Sequence, residues 1–66
     1  MDKQSITRDI KKEIGSFPTT GAIAKYLGVG RDSVKTLMLD YECIKIGRCH
    51  KYYAGDIAQM ILERRE

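Results

Sequence analysis

Sixty-six residues leave room for one domain with one small hydrophobic core and exclude a catalytic cleft between lobes. Twelve Lys and Arg against nine Asp and Glu give a net charge of +3, which suits a polyanionic partner and an ordinary solvated surface about equally. No apolar run nears the roughly 20 residues that cross a bilayer, and residues 1–5 are too polar for a signal-peptide core; a cytoplasmic protein with Cys43 and Cys49 reduced is therefore expected.

Ile6, Ile10 and Ile14 recur every four residues among Arg8, Asp9, Lys11, Lys12 and Glu13, which predicts an amphipathic helix over about 3–14. Asp2 or Ser5 can cap its start, and Gly15 suits its end. A second helix follows Phe17-Pro18, with Thr19 as its cap and Ile23, Ala24 and Leu27 as its buried face. Gly28 stands where a residue of positive φ commonly closes a helix. Gly28-Val29-Gly30 has room only for a tight turn, and a third helix starts at once. Val34, Leu37 and Met38 share its inner side, while Arg31, Asp32, Lys35 and Thr36 point largely elsewhere. Two short helices joined by a glycine turn over about 19–39 form the helix-turn-helix pattern.

From Cys43 the period changes to alternation, predicting a two-stranded antiparallel wing over about 43–53. A two-residue turn at Gly47-Arg48 would set Ile44 opposite Lys51 and mix apolar and charged side chains on one face. A three-residue loop, Gly47-Arg48-Cys49, pairs Ile46 with His50 and Ile44 with Tyr52 and gives one buried face, so that register is expected. It turns His50 toward the core, sets Cys43 opposite Tyr53, and leaves Arg48 at the tip flanked by Lys45 and Lys51 on the solvent side. The last segment, about 54–64, reads as a helix burying Ile57, Met60 and Ile61. Asp56 lies in its first turn and Arg64 and Arg65 near its end, as the helix dipole favours. The expected fold is mainly α with a small β-hairpin: a single winged helix-turn-helix domain over 1–66, with about four helices and a two-stranded wing.

An outer helix face bearing Arg31, Asp32, Lys35 and Thr36 fits a DNA major groove, where Arg31 can donate two hydrogen bonds to guanine and Lys35 can meet a phosphate. Asp32 contacts DNA, positions Arg31 or Lys35, or simply occupies the first helical turn. Arg48, with Lys45 and Lys51, gives the wing a positive tip that can lie on the backbone or in the minor groove, or that protects an exposed strand edge. Thr19 and Thr20 can hold a phosphate at a helix N-terminus or serve as caps alone. Cys43, Cys49 and His50 lack the number and spacing of a structural zinc site, so no metal or cofactor is expected. No catalytic triad, carboxylate pair or phosphate-binding glycine loop can be assembled, so an enzyme is not expected.

Ile23-Ala24-Lys25-Tyr26-Leu27-Gly28-Val29, Arg31-Asp32-Ser33-Val34, Ile44-Lys45-Ile46-Gly47-Arg48 and Asp56-Ile57, in that order and spacing, resemble the excisionase-type, MerR-like winged-helix domains. The chain departs from that pattern at Ala22, where Glu is common, at Gly30 in place of Ser, and at Lys35 and His50 in place of aromatics. The resemblance implies a recombination directionality factor of a prophage or mobile element. Such a factor binds double-stranded DNA near the site of a tyrosine-recombinase integrase and bends it to favour excision. With no heptad segment for a dimerising coiled coil, a monomer in solution is expected, and the modest affinity of one small module suits several copies side by side on DNA. A small MerR-like transcriptional regulator and a protein-interaction adaptor that has lost DNA binding are the competing expectations.

Overall fold

The computed structural model describes residues 2–64; Arg65, expected near the end of the last helix, lies outside them. Among the described residues the chain folds into four helices and one antiparallel hairpin, in the order α1 (Lys3–Ile14), α2 (Thr20–Leu27), α3 (Arg31–Leu37), β1 (Ile44–Ile46), β2 (Cys49–Lys51) and α4 (Ala54–Glu63). Helix, three-residue turn, helix and hairpin follow one another as in a winged helix-turn-helix.

Local chemistry sets these boundaries. Asp2 caps α1 by accepting from the Ser5 N–H at 2.7 Å, and this bond to the charged carboxylate holds the Asp2 pKa below its ordinary value. Gly15 ends α1 with a φ of 92°. Thr19 caps α2, its hydroxyl oxygen accepting from the Ala22 N–H at 3.2 Å, and Gly28 closes that helix in the left-handed region. Gly30 caps α3 without a side-chain bond.

The core is one cluster in which Ile6 and Ile10 of α1 meet Ile23 and Ala24 of α2, Val34 of α3, Met38, Tyr52, and Ala54, Ile57, Ala58 and Met60 of α4. Helix α1 packs chiefly against α4, and α2 against α3. Ile14, Leu27, Leu37 and Ile61 are only partly buried at its margin, short of the full burial that helical spacing suggests for Leu27 and Ile61. Two surface tethers close the shell: the Tyr26 hydroxyl donates to Asp9, and the Tyr41 hydroxyl donates to Glu63.

The hairpin differs from expectation. Its strands pair Ile44 with Lys51, Lys45 with His50 and Ile46 with Cys49, around the two-residue turn Gly47-Arg48. Gly47 has a φ of 60°, and among the described residues no non-glycine residue has positive φ, the pattern of a hairpin turn with glycine at its first central position. The three-residue loop assumed that one hairpin face is buried, and it is not. Ile44 is half-buried and Ile46 is 59% exposed. Lys51, half-buried on that same face, can lay its aliphatic stem along the isoleucines with its ammonium in water.

Tyr52 is held by another partner. Its N–H donates to the Pro18 carbonyl at 3.0 Å, the Ala54 N–H donates to the Ser16 carbonyl at 2.9 Å, and Lys51 bridges to Thr19. The residues after β2 therefore pair with the α1–α2 connection instead of with β1. Tyr52 is buried and Tyr53 lies at the surface. Cys43 lies outside the paired residues and is not set opposite Tyr53; burial first, and then the neighbouring Cys43 thiol, push the Tyr52 phenol pKa up.

Candidate functional site

The two halves of the helix-turn-helix and the wing tip converge on one open concavity. Thr19, Thr20 and Gly21 from the start of α2, Arg31 and Lys35 from α3, and Arg48, Cys49 and His50 from the hairpin line it. Arg31 and Lys35 are four residues apart and so share one face of their helix. Arg48 reaches the same hollow because the tight turn places it at the hairpin end, and because the wing base is pinned to 16–19. Thr20 makes a further tie. It is buried, and its hydroxyl donates to the His50 carbonyl at 3.4 Å, fastening the start of α2 to β2.

The sequence-predicted residues therefore divide. Thr19, Thr20, Arg31, Lys35 and Arg48 are brought together. Asp32 and Thr36 line a separate hollow with Ser33 and Leu37, and the Thr36 hydroxyl donates to the Asp32 carbonyl at 3.1 Å. Lys45 is exposed on the hairpin face opposite that of the half-buried Lys51, so the two do not jointly flank Arg48. The Thr19 and Thr20 oxygens already serve Ala22 and His50, which makes these residues the frame of the concavity.

His50 and Gly21 escaped sequence reasoning. His50, expected to face the core, is exposed and lines the concavity. The register is the reason: opposite Lys45 it occupies the face away from Ile44 and Ile46. Gly21 lies inside α2, where glycine costs roughly 1 kcal/mol relative to alanine. A Cβ there would stand 3.2 Å from Arg31 Nη2 and 3.3 Å from its Nε. The Arg31 guanidinium therefore lies against the first turn of α2, and the missing side chain leaves room for it. A glycine inside a predicted helix was the signal that something approaches closely.

Chemically, two guanidinium groups and one ammonium around a hollow can hold anionic oxygens. The planar guanidinium forks suit phosphate or carboxylate, and the lysine serves as a point charge. Cys43 is half-buried and Cys49 exposed, both as free thiols. Among the described residues no three His, Cys, Asp or Glu side chains gather around one point, and no helix is long and apolar enough to cross a membrane. Compared with known proteins, the chain matches no family model, no curated protein and no solved structure.

Proposed function

We propose that the chain is a double-stranded DNA-binding module with no catalytic chemistry of its own. On this reading α3 enters the major groove, with Arg31 and Lys35 toward the duplex, and Arg48 lies on the adjacent minor groove or backbone. The observation that carries the reading is the convergence of Arg31, Lys35 and Arg48 on one concavity framed by the start of α2. A cationic helix face and a cationic hairpin tip directed to the same side are what straddling a duplex requires. On this reading Arg31, whose guanidinium lies against Gly21, serves a phosphate as well as a base edge.

Within this reading the resemblance to excisionase-type domains points to an architectural factor of a mobile element, acting beside an integrase. A module of this kind buries only roughly 600–1,000 Å² on DNA, so its affinity is modest until copies bind side by side. A transcriptional regulator built on the same fold would use the same surface.

Titration of labelled duplexes over a range of salt, followed by anisotropy, tests the proposal. Log affinity falls with log salt by roughly 0.9 per phosphate neutralised. Arg48→Ala lowers that slope by about one, and Arg31→Ala relaxes sequence preference at a cost of about 1–3 kcal/mol. Variants indistinguishable from the parent on every duplex would overturn it and favour the adaptor.

A further inference from the structure

Helix α1 has two flanks of opposite charge on either side of its Ile6–Ile10 core stripe. On one flank Asp9 accepts from the Tyr26 hydroxyl, and Glu13 is close enough to add its field to that phenol. On the other, Lys3, Thr7, Arg8 and Lys11 line an open groove whose far wall is Tyr53 and Gly55 at the start of α4. The Lys11 Nζ stands 5.8 Å from the centre of the Tyr53 ring, which in turn meets Phe17 at 5.6 Å. Lys3, Arg8 and Lys11 are all exposed, and no carboxylate lines the groove among the described residues.

We propose that this α1–α4 groove is a second nucleic-acid surface, which takes the sugar–phosphate backbone without reading its bases. Lys3 and Lys11 are eight residues apart, or about 12 Å along the helix at 1.5 Å per residue. Phosphates rise by roughly 3.4 Å each along one strand, so the groove runs beside about three of them and presents three cations. Tyr53 adds a phenol, a group that commonly donates to phosphate oxygens. A strand of evenly spaced single charges matches this linear array. The groove shares no lining residue with the α3–wing concavity, so it does not depend on that surface being used.

Nuclear magnetic resonance on the full chain carrying Arg31→Ala and Arg48→Ala isolates the second surface. A random-sequence duplex should shift the Thr7, Lys11 and Tyr53 signals. Adding Lys3→Ala, Arg8→Ala and Lys11→Ala should abolish those shifts and lower the residual log–log salt slope by about 2 to 3, at roughly 0.9 per contact. Absent shifts, shifts that survive the three further substitutions, or equal shifts from a poly-glutamate peptide of matched charge each overturn the proposal. In the unsubstituted protein, a duplex that moves the α1 groove signals but not those of Arg31 and Arg48 supports this inference and sinks the α3–wing reading.

Discussion

Tyr26 illustrates what one side chain contributes. Its hydroxyl donates to Asp9 across the α1–α2 contact. That bond first, then burial, then the negative charges of Asp9 and Glu13 push its pKa up to about 12 from 10.0. A phenol whose pKa is higher in the folded chain than in the unfolded one stabilises the fold fully below pH 10, and that stabilisation is lost as pH rises toward about 12. Urea melts across this interval should show the parent protein losing stability faster than Tyr26→Phe, which has no phenol to ionise. Below pH 10 the same substitution should cost about 1 kcal/mol or less, because the bond is solvent-exposed. Parallel curves for the two proteins would show that the Asp9 tether carries no pH-dependent stability.

At the scale of elements, the hairpin is short and held by few contacts, so its turn residue matters disproportionately. Gly47 adopts a φ of 60°, which costs a β-branched residue more than 1 kcal/mol. Gly47→Val should therefore lower stability by about 1–2 kcal/mol, with amide exchange accelerated at Ile46 and Cys49, the pair that flanks the turn, before the helices are affected. Unchanged protection in the wing would mean that the tethers to Pro18 and Thr19, and not the turn, set its register.

The same element shows how much was legible beforehand. Asp2, Gly15, Thr19 and Gly28 mark helix ends by local chemistry, and each helix lies close to where these residues put it. The isoleucine spacing of α1 likewise gave its buried stripe. The strand register was not legible from alternation alone, because that rule presumes a hairpin with one face on the core. Here the Tyr52 N–H is taken by the Pro18 carbonyl and not by β1, and nothing near Tyr52 in sequence announces it. The candidate site was legible as residue types, Arg31, Lys35 and Arg48, because cations on a helix face and at a turn need only local structure to be noticed. The departure of Asp32 and Thr36 to another hollow, and the arrival of His50, depend on how the elements pack.

For the whole molecule, a chain of 66 residues carries on the order of 3–10 kcal/mol of stability, at roughly 0.05–0.15 kcal/mol per residue. Its core is a single cluster, and Ile57, fully buried on α4, sits in the helix against which α1 packs most extensively. Truncating a buried isoleucine to alanine costs about 2–5 kcal/mol, so Ile57→Ala should remove a large part of the total. Both proposed binding surfaces hang on this core: α3 through Val34, the wing through Tyr52, and the α1 groove through Ile6 and Ile10. Denaturant unfolding of Ile57→Ala should consequently show the wing, α3 and α1 signals melting together at a much lower midpoint. If the wing or α1 melted separately while the rest held, the molecule would be two cooperative units, and the two surfaces could be lost one at a time.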